Sequence, residues 1–232
     1  MLSIDAGSFL DVLATTRAIR RYLPEPIAET DLQKILFAAT RAPTGSNRQG
    51  FHFVVLTNTE KSREAKRLLG TVARTVWAEK RQADGYESGS GVAGDSPKAR
   101  MAATMAHFVE HFEEAPVVVI PCLRRHRAPT PTEGASVYPA VQNLLLAARA
   151  LGYGGVITMW QQGVEDELRA LLGIPTDIAM CATIPLGRPV GGHGPVRRRP
   201  LKELVSGDTW GVAPEWAVDP QGTTFTQAGP PR

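Results

Sequence analysis

Apolar and polar positions recur along the chain with two different periods. Leu32, Ile35, Leu36 and Ala39 fall on one face of a helix. Thr30 is its expected N-cap, Gln33 the capping-box partner and Pro43 the stop. Further helices are predicted over 7–16, 60–80 and 98–113. The most apolar stretch is 136–151, where Val137, Val141, Leu144, Leu145, Ala148 and Leu151 cover more than one face, as in a central, buried helix. Short apolar runs predict strands at 52–56, at 116–121, near 156–159 and at 178–186. Tyr22–Pro26 must be extended, because each proline disfavours helix in the residue before it. The stretch 83–97, rich in Gly, Ser and Asp, reads as a mobile loop. The order of elements suggests an α+β sandwich rather than a strict βαβ alternation.

Composition narrows the class. At 232 residues the chain is long enough for a sizeable core, and its apolar and charged fractions are those of a globular protein. The net charge is +3, gathered into short clusters at Arg17–Arg21, Arg124–Arg127 and Arg197–Arg199. Clusters so far apart favour small-anion sites or solvated surface over a nucleic-acid stripe, so no nucleic-acid partner is expected. Cys122 and Cys181 sit in apolar, strand-like runs and read as buried thiols in a reducing compartment. The opening Met1–Asp5 carries no basic segment leading into an apolar run, and no stretch is apolar for long enough to span a bilayer. A cytoplasmic protein without a membrane partner is the expectation. The stretch 206–232 has little periodicity and much Pro, Gly and Thr, fitting an irregular extension or one lying on a partner chain.

Three segments offer chemistry. If 17–21 is extended, Arg17, Ile19 and Arg21 point the same way, and the two guanidinium groups can converge on a phosphate. Solvated surface arginines are the other reading. The loop Pro43, Thr44, Gly45, Ser46, Asn47, Arg48, Gln49 provides backbone N–H groups, small side chains and two amides, which suit the edge of a flat heterocycle as well as an ordinary connection. Gly187-Arg188-Pro189, followed by Arg197–Leu201, is either an exposed basic tail or a return to the N-terminal cluster. Glu113 and Glu114 diverge on a helix and read as a solvated face. His107 and His111 stand four apart without an evident third ligand, so no metal is expected. Tyr138 reads as packing beside the central helix.

Taken together, these runs resemble the FMN-dependent nitroreductase family. The resemblance is carried by Arg17 to Tyr22 with Pro24 and Pro26, by Ala38 to Gln49, by Gln142 to Ala148 leading to Leu151-Gly152-Tyr153-Gly154, and by Arg198 to Leu201. These segments occur in the family's order and cover residues 10 to 205. The resemblance implies an α/β sandwich whose central, mostly antiparallel sheet is flanked by helices. The FMN-binding domain would be 1–205, and an extension, 206–232, would cross to the dimer partner. It implies a homodimer with FMN at the interface and ping-pong hydride transfer from NAD(P)H through FMN to a small acceptor such as a nitro compound or quinone. Arg17 and Arg198 would grip the phosphate, with Ile19 between the arginines. Arg21 would lie by the pyrimidine edge of the ring and offset negative charge there. Pro43, Thr44, Gly45, Asn47 and Gln49 would serve the ring and ribityl chain from the other subunit. Ile157, Thr158 and Met159 would sit against the ring near its reactive nitrogen.

Some positions depart from the family. Gly50-Phe51 stands where Pro-Trp is frequent, and Ile19 where some members have a hydroxyl residue. Met159-Trp160 stands where several bacterial members have Glu-Gly, which makes Trp160 either a substrate gate or plain packing. Two other activities stay open: a biosynthetic flavin dehydrogenase or flavin-fragmenting enzyme, and a flavin-binding sensor or store without turnover. The acceptor and the NADH or NADPH preference are not legible.

Overall fold

Strand β2 (Val117–Arg124) carries the sheet, because its side chains alternate between two cores. Val117 and Val119 enter one, and Val118, Ile120 and Cys122 the other. A strand buried on both faces reads as a continuous apolar run, as this one does. The computed structural model describes residues 6–221. In it β1 (Phe51–Leu56) pairs antiparallel with β2, Phe51 opposite Leu123 and Leu56 opposite Val118. On the other side, β4 (Ile178–Met180) and β5 (Ile184–Gly187) divide the length of β2 between them, and β3 (Gly154–Gly155) pairs with β5. All these pairings are antiparallel.

Helices cover both faces. α2 (Glu29–Ala39) contributes Ile35 and Ala39, and α5 (Tyr138–Ala150) contributes Ala140, Val141, Leu144 and Ala148, to the core containing Val117 and Val119. The opposite core takes Ala65, Leu69, Ala73 and Trp77 from α3 (Glu60–Ala83), Phe108 and Val109 from α4 (Pro97–Glu110), and Leu168 from α6 (Glu165–Leu172). The four-residue spacing along α3 makes one apolar stripe. Thr59 caps that helix by accepting the Ser62 N–H at 3.2 Å, a contact whose removal costs about 1 kcal/mol. The result is the expected α+β sandwich with an antiparallel sheet.

Local details differ from the sequence pattern. α2 begins at Glu29 with Ala28 as its cap residue, and no side chain caps it, so Thr30 lies inside the first turn. Burial of Ile35 and Ala39 fixes this helix without the expected capping box. The single strand expected over 178–186 is two, because the Cys181 N–H turns to the Pro121 carbonyl (2.8 Å) and Thr183 pairs with Thr158 instead. The strand expected near 156–159 reduces to that one bridge and to β3 before it. Gly155 in β3 is required by close approach: a Cβ there would stand 2.6 Å from the Pro185 carbonyl oxygen. The loop over 83–97 contains a 3-10 turn at Gly89–Gly91.

The described chain separates into two compact units, Ala18–Gly192 and the two ends outside it. The sheet, α2–α6 and both cores belong to the first. The second holds α1 (Ala6–Thr15), with the Val196 N–H donating to the Ala14 carbonyl (2.9 Å) and the Leu201 N–H to the Asp219 carboxylate (2.9 Å). Of the extension expected over 206–232, residues 222–232 lie outside the described residues, as does the opening 1–5. Among the described residues no helix is long and apolar enough to cross a membrane.

Candidate active site

Within Ala18–Gly192 the candidate residues come from three places. The first is the extended segment 19–23. The Ile19 N–H donates to the Gly155 carbonyl (3.0 Å), and the Ile19 side chain is buried. Its donor and its side chain are therefore both used by the fold, and the expected common face of Arg17, Ile19 and Arg21 breaks at the middle residue. Arg21 is exposed. Its carbonyl accepts the Val190 N–H (3.0 Å), and the Leu23 N–H donates to the Arg188 carbonyl (2.8 Å). The run 188–190 thus lies beside 21–23. Arg188 itself is spent on structure: it stacks over the Tyr153 ring at 4.6 Å and faces Glu25 at 3.5 Å.

The second place is the loop after α2. Ser46, Asn47 and Gln49 all adopt left-handed backbone conformations, with φ of 53°, 49° and 50°. Such conformations are costly without glycine and persist where the surroundings enforce them. Thr44 enforces them here: its carbonyl accepts the Asn47 N–H (2.9 Å) and its hydroxyl accepts the Gln49 N–H (3.0 Å). The Asn47 and Gln49 amides bond to each other at 3.3 Å. Pro43, Gly45, Asn47 and Gln49 are exposed.

The third place is 157–159. The Thr158 N–H and hydroxyl both donate to the Thr183 carbonyl, each at 2.9 Å. The Thr183 hydroxyl in turn donates to the buried Gln161 amide oxygen (3.0 Å). Thr158 is therefore locked inward, and its neighbours Ile157 and Met159 are exposed apolar groups. Trp160 turns inward as well. It is 8% exposed and its indole packs on Phe108 and Phe112, with ring centroids 5.2 and 5.0 Å apart. The gate reading of Trp160 does not match this position; its contacts with two aromatic rings in the core, one tilted and one edge-on, explain the side chain as packing.

In the other unit, Arg17 and Arg198 are exposed. The bond from Val196 to Ala14 lays the segment before Arg198 beside the end of α1, and a Cβ on Gly194 would stand 3.2 Å from an Arg17 Nη. Among the described residues Arg17, Arg21 and Arg198 form no salt bridge. Taken unit by unit, Ala18–Gly192 offers Arg21, an apolar pair at 157 and 159 and a loop of exposed polar groups, the kinds of group a flat ring requires, and the other unit offers Arg17 and Arg198, the kind a phosphate requires. The residues fit FMN chemically.

The Nitroreductase family profile matches residues 13–188, three-quarters of the chain. The chain belongs to the nitroreductase family. An NADH dehydrogenase of Thermus thermophilus is 30% identical over 201 residues, 82% of this chain and 90% of that protein. An Archaeoglobus fulgidus protein named as an NADH dehydrogenase/NAD(P)H nitroreductase is 29% identical over 186 residues, 78% of this chain and 84% of its own length. Among solved structures, a protein from Desulfovibrio desulfuricans assigned as a nitroreductase, in complex with FMN, superposes with a TM-score of 0.63 at 25% identity, covering 87% of this chain and 97% of that one.

Glu113, His111 and Tyr138, the other polar groups considered in this family member, have structural partners. Glu113 takes both Arg74 Nη groups at 2.9 and 3.2 Å, so it is a half-buried ion pair rather than a solvated carboxylate. The His107 and His111 rings lie 4.2 Å apart, and His111 Nδ1 meets Glu114 at 2.9 Å. The Tyr138 hydroxyl donates to the Cys181 carbonyl (3.1 Å). Sequence reasoning missed a cavity of about 250 Å³ between Thr44, Ser46 and Arg48 of the loop and Arg124–Arg127 with Glu133 and Ser136. The arginine run 124–127 was a signal for it, but nothing in the sequence tied that run to the loop.

Proposed function

We propose that this chain is an FMN-dependent oxidoreductase that takes reducing equivalents from NAD(P)H and passes them to a small organic acceptor, with two chains forming the working unit. Family membership carries the reading, supported by Arg17, Arg21 and Arg198, which join no salt bridge among the described residues. When bound, FMN supplies the hydride chemistry, alternately taking and giving two electrons. Arg17 and Arg198 hold its phosphate through charge-assisted hydrogen bonds, which a planar guanidinium makes in pairs. Arg21 places positive charge at the pyrimidine edge. Ile157 and Met159 give the ring a dry apolar surface, kept in place by Thr158 through its lock on Thr183. Pro43, Thr44, Gly45, Asn47 and Gln49 reach the cofactor of the partner chain; Ile19 acts by anchoring the segment that bears the arginines. No thiol competes for the electrons: burial pushes Cys122 up to about 12 and Cys181 up to about 11, so both stay protonated at neutral pH.

Exposed apolar groups support the dimer. Phe9, Leu10 and Leu13 on α1, and Leu204, Trp210, Val212, Trp216 and Val218 near the other end, face outward, Trp210 at 96% exposure. A partner chain laid over them would remove a large apolar surface from water. Denaturing release of the bound flavin followed by a screen of nitroarenes and quinones with NADH and NADPH tests the proposal. Release of FMN and turnover with at least one acceptor are expected. FMN that is bound and reduced but never reoxidised by an acceptor would point to a store or sensor instead.

A further inference from the structure

The cavity under the 44–50 loop has an unusual charge balance. Arg48, Arg124, Arg125 and Arg127 line it, against one carboxylate, Glu133. That carboxylate is already committed. It accepts from Arg125 Nε (3.0 Å) and Nη2 (2.7 Å), and this pairing holds it below the usual carboxylate range. Arg124 shares Asp177 at 3.1 Å. Among the described residues Arg48 and Arg127 join no salt bridge. The cavity therefore keeps an excess of positive charge on a concave surface, where the field of several cations adds. The hydroxyl-bearing Ser136 and Thr132 also line it. At about 250 Å³ it is smaller than the roughly 300–1,000 Å³ of pockets that take whole ligands, and suits a terminal group.

Arg48 lines this cavity from the loop whose Ser46, Asn47 and Gln49 adopt left-handed conformations. We infer that the cavity is an oxyanion subsite, taking a phosphate or carboxylate group of a substrate whose reacting end lies at the flavin. This rests on the proposed function, in which the same loop reaches the cofactor of the partner chain. Two sources supply such a group: the 2′-phosphate of NADPH, and a carboxylate on the acceptor. A guanidinium such as Arg48 discriminates strongly, because the loss of a charge-assisted hydrogen bond is worth about tenfold to a hundredfold in affinity.

The test uses the FMN-loaded protein with Arg48→Gln, Arg127→Gln and the double substitution, all at exposed positions. Rates at limiting substrate are compared within two pairs, NADPH against NADH and nitrobenzoate against nitrobenzamide. A tenfold or greater selective loss for NADPH assigns the subsite to the donor's phosphate; the same loss for nitrobenzoate assigns it to the acceptor. Losses equal within both pairs, or none, overturn the subsite. Calorimetric titration with adenosine 2′,5′-bisphosphate and with benzoate reads it without turnover, so its failure is distinct from a failure to bind flavin. Binding of either probe that the double substitution abolishes supports the subsite. No binding of both probes, or binding that the substitutions leave unchanged, contradicts it.

Discussion

The indole of Trp160 stands edge-on to the ring of Phe112, with centroids 5.0 Å apart and planes at 79°. Edge-to-face pairs of this kind add to the burial of both rings. Trp160→Ala is expected to destabilise the fold by about 3–5 kcal/mol, the range for emptying a large aromatic site. Chemical denaturation measures the loss, and a panel of acceptors measures access. A wider range of acceptors with unchanged stability would restore the gate.

Lys66 is 2% exposed, and its Nζ donates to the Ala115 carbonyl (2.7 Å) and the Pro116 carbonyl (3.4 Å) without a carboxylate. Desolvation lowers its pKa from 10.5 to about 8. Below pH 8 the amine is charged in both folded and unfolded chains. Between about 8 and 10.5 the unfolded chain still holds a proton that the folded one has released, so this group makes stability rise with pH. The buried thiols act oppositely above about pH 9, because their folded values are raised. Comparison with Lys66→Met separates the two effects. The wild-type advantage should grow across that window by an amount on the order of 3 kcal/mol. A difference that stays flat with pH would mean that Lys66 remains charged in the fold.

The positive φ of Ser46 predicts a response to side-chain shape. Ser46→Val should cost about 1–2 kcal/mol, because a branched Cβ crowds the carbonyl in the left-handed region. Ser46→Gly should change stability by less than about 1 kcal/mol, since relief of crowding is offset by greater freedom of the unfolded chain. Urea midpoints of the three proteins decide this, and a valine as stable as serine would mean that the loop relaxes to another conformation.

The helices and the central strand were legible because their signals are local. The stripe Ala65, Leu69, Ala73 and Trp77 and the run 117–122 each reach the core by their own periodicity. What was not legible depended on distant partners. The break between β4 and β5 follows from the Pro121 carbonyl taking the Cys181 N–H, some sixty positions apart. The inward turn of Trp160 depends on Phe108 of α4 and on Phe112 in the 3-10 turn that follows it. The arginines of the candidate site were legible as types in a familiar order. That Ile19 belongs to the interior was not, since its N–H partner is Gly155.

Arg17→Ala or Arg198→Ala should weaken FMN binding by about ten- to a hundredfold, since each charge-assisted bond to phosphate contributes about 1.5–3 kcal/mol. Riboflavin lacks the phosphate, so its affinity should hardly change. Lysine should restore only part of the loss, because a point charge cannot form the forked contact. Fluorescence titration with both flavins separates the possibilities, and equal losses for the two would make these arginines supports of the fold.

Anaerobic stopped-flow mixing of the FMN-loaded protein with NADPH or NADH tests the oxidoreductase reading most directly. Rapid bleaching of the flavin absorption by at least one nicotinamide is predicted, with full recovery of colour when a nitroarene or quinone is then added. A protein that takes up no FMN, or whose bound FMN keeps its absorption in the presence of both nicotinamides, would contradict it.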